Sequence, residues 1–135
     1  MAHFILEYSA NLDPAALDFQ RLFATLHEAA AGTGLFPLAG IRSRAIGCEP
    51  FRVADGNPDH AFVHLAVKIG AGRTEQERAQ AARIFFEVLS AHLDAEYQRR
   101  GLAISFELLE LPAVLKYNRN NLREHLARTP TPVEG

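Results

Sequence analysis

The chain opens with alternating apolar and polar positions. From Ala2 to Tyr8, Phe4, Leu6 and Tyr8 share one side of an extended segment, and His3, Ile5 and Glu7 share the other. A period of two predicts a strand with one buried face. The period then changes. Asp13 can accept bonds from free backbone donors as an N-cap, and Pro14 fits the first helical position, where its missing N–H costs nothing. Phe19, Leu22, Phe23, Leu26 and Ala30 follow as one apolar stripe, and Gly32-Thr33-Gly34 ends the helix. A second strand runs from Leu38 to Ile46, with Arg42 and Arg44 leaving the same face. Pro50, Gly56, Pro58 and the pair Asp55-Gly56 make Cys48 to Asp59 a loop or small hairpin. From Ala61 to Ile69 the alternation is clearest, with Ala61, Val63, Leu65, Val67 and Ile69 on one side and Phe62, His64, Ala66 and Lys68 on the other. Thr74 and Glu77 have the spacing of a capping box, and a long helix runs from there to about Arg100. Its expected stripe is Ala82, Phe85, Phe86, Leu89 and Leu93, and Gly101 stops it. Ala103 to Leu111 is the fourth strand, ended by Pro112.

Strand, helix, strand therefore occurs twice. The expected fold is α+β: two βαβ repeats, residues 1–58 and 59–127, forming one four-stranded mixed sheet with both helices on one face. Residues 1–127 make a single domain, and residues 128–135, rich in Thr and Pro, form a mobile tail. The uncovered face should carry His3, Ile5, Glu7, Arg42, Arg44, Phe62, His64, Lys68, Ser105 and Glu107. Such a half-apolar surface is expected to pack against copies of itself.

Length and composition narrow the partners. With 135 residues, 48% of them hydrophobic, one domain with a core is expected. Fourteen Lys plus Arg against sixteen Asp plus Glu give a net charge of -2, which lacks the positive excess that nucleic-acid phosphates require. The single Cys48 cannot close an intramolecular disulfide. No apolar run approaches the ~18 to 20 residues of a spanning helix, and the first residues lack the pattern of a signal peptide. The expectation is a reducing cytoplasm, with neither nucleic acid nor membrane as partner.

Several groups invite chemistry. Gly70-Ala71-Gly72 stands between strand and helix, but Glu75 occupies the place of the third Gly of a dinucleotide fingerprint, so a tight turn into a capped helix is expected. Arg73 puts a guanidinium at a helix N-terminus, a combination suited to an anion. Of the six histidines, His60 and His64 are four apart on a strand, roughly 13 Å, too far to share a metal ion. His27 and His92 lie on helices, where packing or solvent explains them. Arg42 and Arg44 fit two readings. They can form salt bridges with Glu7 and Glu107 across the sheet, or Arg42 with Arg73 can fix a dianion by one carboxylate each.

The runs Thr33 to Arg44, Ala54-Asp55-Gly56, Ala61-Phe62-Val63-His64 and Lys68-Ile69-Gly70-Ala71-Gly72-Arg73 resemble the 5-carboxymethyl-2-hydroxymuconate delta-isomerase family of the tautomerase superfamily. The resemblance extends from about Ala2 to Leu126. It implies a homotrimer of βαβ repeats and a cofactor-independent isomerase of aromatic catabolism acting on a small dicarboxylate or tricarboxylate. In that family an N-terminal proline amine, exposed by removal of Met, moves a proton along the conjugated system, and arginines hold the carboxylates. Arg42 and Arg73 match the arginine-bearing motifs, and Arg44 is a further candidate for substrate binding.

The chain departs from the pattern at its start, where Ala2 replaces the proline. A free Ala2 amine, with Met1 removed, remains a base, with an ordinary pKa of about 7.7 to 8.0 that burial and nearby arginines can lower. If Met1 is retained, the amine is displaced by ~3.3 to 3.6 Å. Two alternatives accompany the isomerase: a homologue that binds without turnover or has another substrate, and a ferredoxin-like regulatory module that binds small ligands between subunits. An isomerase needs its N-terminus in a pocket with Arg42 and Arg73, and a regulatory module leaves it exposed.

Overall fold

The computed structural model describes residues 1–128, so of the expected tail, residues 128–135, all but Arg128 lies outside the described residues. In chain order the elements are β1 (Ala2–Ser9), α1 (Pro14–Leu17), α2 (Phe19–Gly32), β2 (Ile41–Cys48), β3 (Ala61–Ile69), α3 (Glu75–Arg99), β4 (Leu102–Glu110) and α4 (Leu122–Arg128). The strands form one sheet in the order β2-β1-β3-β4. β1 runs parallel to β2, antiparallel to β3, and β3 runs parallel to β4. Two βαβ units thus lie side by side, as the sequence predicts.

One face of the sheet is the core. Phe4, Leu6, Val63, Leu65, Val67 and Ile69 are fully buried, together with Leu22 and Leu26 of α2 and Phe85, Leu89 and Leu93 of α3. Each such side chain contributes roughly 1.5–3 kcal/mol through removal from water. Phe85 sits between Phe4, edge-on at 5.0 Å, and Phe36 at 5.8 Å, which locks α3 against both β1 and the segment leaving α2. The strand registers place all ten residues named above on the opposite face: His3 stands between Arg42 and Lys68, Ile5 beside Arg44, Glu7 beside His64, and His64 beside Ser105.

Four details differ from the sequence reading. The first helix is split, because Asp18 turns into the left-handed region (φ 48°) and caps α2 by accepting from Arg21 N–H at 3.2 Å. Leu38–Gly40 form a 3-10 turn, so β2 starts only at Ile41. The buried stripe of α3 is Ala81, Phe85, Leu89, Leu93 and Glu96, while Phe86 is exposed over Phe106. Finally, Pro112 is followed by an irregular strap and then α4, which had no sequence counterpart. The capping box is as expected: Thr74 Oγ1 accepts from Glu77 N–H at 3.1 Å, and Thr74 N–H donates to Glu77 Oε1 at 2.9 Å.

Candidate active site

The topology brings three chain positions to one corner. Because β1 is parallel to β2 and antiparallel to β3, Ala2 pairs with Ile41 at the start of β2 and with Ile69 at the end of β3. Met1 projects beyond that row. Its carbonyl accepts from Gly70 N–H at 3.3 Å. On its other side a Cβ on Gly40 would stand 3.3 Å from Met1 N and Cα, so the absence of a side chain at Gly40 lets the terminus lie close against the 3-10 turn. Ala2 itself is fully buried beneath Met1.

Arg73 reaches the same corner from the turn after β3. Its Nε and Nη2 donate to Leu35 O at 3.3 and 2.7 Å, its Nη1 donates to Gly70 O at 3.0 Å, and the guanidinium lies 4.3 Å over the Phe36 ring. The side chain is therefore held by carbonyls and an aromatic face. Three of its five N–H donors are engaged, which leaves two for a ligand. Arg42, the second residue of β2, approaches from the open-face side, half-buried beside His3. Arg44 lies one pleat further on, exposed, with Nη1 donating to His3 Nδ1 at 3.4 Å.

Lys116 is a fourth cation at this corner, absent from the sequence reading. The strap that carries it is anchored at both ends, by Leu111 N–H on Ile69 O at 2.7 Å and by Asn120 Nδ2 on Ala39 O at 2.9 Å. That crossing sets Lys116 beside Gly70. A lone Lys in an irregular segment carries no periodic signal, and the contact depends on pairings across 42 and 81 residues, so spacing gave no route to it.

The electrostatic result is a terminus that releases its proton readily. Burial first, then the charges of Arg73, Lys116 and Arg42, hold the Met1 amine below its usual 8.0. His3 is likewise held below the usual histidine value, by burial and then by Arg42, Arg44 and Lys68. Among the described residues none of Arg42, Arg44, Arg73 and Lys116 is ion-paired with a carboxylate. The expected bridges from Arg42 and Arg44 to Glu7 and Glu107 are thus absent. Glu107 instead meets His64 Nε2 at 3.2 Å, and Glu7 lies 3.8 Å from the Cys48 thiol.

His64, His60, His27 and His92 have structural partners. His64 Nδ1 lies 2.6 Å from Ser105 Oγ, His60 pairs with Asp55 at 3.1 Å, His27 Nε2 meets Ser43 Oγ at 2.7 Å, and His92 Nε2 donates to Leu17 O at 2.6 Å at the end of α1. Burial and then Glu7 push the Cys48 thiol up, away from a reactive thiolate. Gly72 adopts φ 118°, as a tight turn into α3 requires.

Comparison with known proteins bears on the family and on the fold. The family model for 5-carboxymethyl-2-hydroxymuconate isomerase matches residues 2–126. A 5-carboxymethyl-2-hydroxymuconate Delta-isomerase of Escherichia coli is 45% identical over 122 residues, covering 90% of this chain and 96% of that protein. The crystal structure of a 5-carboxymethyl-2-hydroxymuconate isomerase from Deinococcus radiodurans R1 superposes with a TM-score of 0.85 at 34% identity, over 93% of each chain. The fold alone is shared with a "W0 fused 4-OT wild type symmetric trimer", at a TM-score of 0.58 and 16% identity over 81% of this chain and 86% of that one.

Proposed function

Because this chain belongs to the 5-carboxymethyl-2-hydroxymuconate isomerase family, we propose that it isomerises 5-carboxymethyl-2-hydroxymuconate or a closely similar hydroxy-polyacid, with its N-terminal amine as acid and base. With Met1 removed, the Ala2 nitrogen ends the chain ~3.3 to 3.6 Å back along β1 from the Met1 nitrogen. It takes a proton at one end of the conjugated system and returns it to a carbon further along. Atoms and charge balance, since substrate and product are isomers and the amine ends as it began. Arg73, pre-oriented by the carbonyls of Leu35 and Gly70, and Arg42 bind carboxylates and stabilise the dienolate. Arg44 steers and binds from the open face. Loss of rotational freedom in a proline is replaced here by nothing comparable, so the Ala2 amine works without that restriction.

The observation that carries this reading is the meeting of the N-terminus with Arg73 and Arg42 at one corner, where burial and positive charge hold the Met1 amine below its usual value, and an Ala2 amine freed by loss of Met1 starts from the same corner. A regulatory module has no use for such an arrangement. We further propose a homotrimer joined through the open sheet face, the assembly named for the fused symmetric trimer that shares the fold. Aromatic catabolism follows as the setting from the substrate named for the relatives. Among the described residues no helix is long and apolar enough to cross a membrane.

The test is intact-mass analysis of the N-terminus with a spectrophotometric assay on 5-carboxymethyl-2-hydroxymuconate. Turnover is expected from the Ala2-terminated form, and Arg73→Ala should lower kcat/KM by about 10- to 100-fold through loss of charge-assisted bonding. Equal kcat/KM for Arg73→Ala and parent would overturn Arg73's role. No turnover from an Ala2-terminated, folded protein would make the chain a binding homologue.

A further inference from the structure

We propose that Lys116 is a specificity-determining residue that, with Arg42 and Arg73, makes this corner a receptor for a tricarboxylate rather than a dicarboxylate. This rests on the substrate reading above and deepens it. The point where a Cβ on Gly70 would stand lies 3.4 Å from Lys116 Nζ and 4.0 Å from Arg73 Nη1. Two cations therefore converge on the bare backbone of Gly70, which is buried and itself holds the Met1 carbonyl. The third, Arg42, flanks the terminus from β2.

Like charges gathered this closely repel one another, and in folded proteins such a group is ordinarily relieved by carboxylates. Here Arg78 takes Glu110 at 3.0 Å, and Arg99 and Arg100 share Glu96, yet among the described residues Arg42, Arg73 and Lys116 have no carboxylate partner. Among the described residues nothing balances them, and a bound polyanion would. Arg73, Lys116 and Arg42 are the three cations whose charge acts on the terminus, with the unpaired Arg44 one pleat further on, and three carboxylates, the number carried by a muconate with a carboxymethyl arm, offset these three. A simple diacid leaves one of the three uncompensated. Lys116 is also suited to select rather than to clamp: it is an exposed point charge on a strap tied at Leu111 and Asn120, whereas Arg73 is fixed by three hydrogen bonds.

The experiment is titration calorimetry of the full chain with propane-1,2,3-tricarboxylate and with glutarate, beside the isomerase assay. The parent is expected to bind the tricarboxylate about tenfold more tightly than glutarate. Lys116→Ala should abolish that preference, weakening the tricarboxylate more than it weakens glutarate, and Lys116→Arg should keep it. The KM for 5-carboxymethyl-2-hydroxymuconate should rise about tenfold in Lys116→Ala. Equal affinity of the parent for the two acids, or an unaltered preference in Lys116→Ala, would overturn the proposal. A preference that depends on Lys116 in a protein that turns nothing over leaves the tricarboxylate site standing and removes the isomerase reading. Turnover with an unchanged KM in Lys116→Ala does the reverse.

Discussion

A free α-amino group near 8.0 is mostly protonated at neutral pH, so an amine that must accept a proton has to be made more acidic by its surroundings. At the Met1 amine, one residue before β1, burial acts first, and Arg73, Lys116 and Arg42 add repulsion that the ammonium form feels and the neutral amine does not. Both effects act in one direction. For the Ala2-terminated protein, the rising limb of kcat/KM against pH should have its midpoint below 8.0, and Arg73→Ala should move that midpoint upward, because removing a cation favours the protonated amine. The position of the limb is the readout, since its height also falls with substrate binding. A midpoint that stays in place in Arg73→Ala would separate the amine from the titrating group. Arg73 was legible as a candidate from its turn before a capped helix, and Arg42 from sharing one strand face with Arg44 and from the family resemblance of its motif. Their meeting point became visible only once β1 lay between β2 and β3.

At the scale of elements, α3 shows where hydrophobic periodicity runs out. Ala81-Ala82 and Phe85-Phe86 are tandem pairs, so a stripe drawn through either member has an acceptable helical period, and packing against Phe4 and Phe36 selects Ala81 and Phe85. The same stripe ends on a carboxylate, which no apolar pattern anticipates. Glu96 is 7% exposed and accepts from Arg99 and from Arg100 Nη1 at 3.2 Å. The Arg99 hydrogen bond, and then that from Arg100, hold its carboxyl below the usual 4.5. A group depressed in the folded state contributes its full stability above the unfolded value and loses it as pH falls through the folded value. Glu96→Gln should therefore cost about 1.5–3 kcal/mol at neutral pH, measured by urea unfolding. The gap between parent and variant should narrow as pH is taken below 4.5. A constant gap across that range would mean that Glu96 acts through packing and not through its charge.

At the scale of the whole molecule, the alternation along four strands sufficed to place the ten named residues on the uncovered sheet face, because a strand has only two sides and one of them was plainly the core. What alternation left out was the strap after Pro112, whose path is set by hydrogen bonds at its ends and which brings Lys116 to the terminus. The uncovered face is where the proposed trimer can be tested. Ile5 stands near its middle, with Arg44 and Ala66 as cross-strand neighbours. In a lone subunit a lysine at that position faces water beside another cation and costs little. Buried between subunits, the same charge cannot be neutralised by Arg44, and the desolvation cost is several kcal/mol for each copy, repeated around the assembly. Ile5→Lys is therefore expected to reduce the mass found by light scattering from three times 14.9 kDa to 14.9 kDa, with the far-UV circular dichroism of the parent retained. A variant that keeps the parental mass would place the subunit contact elsewhere than on this face.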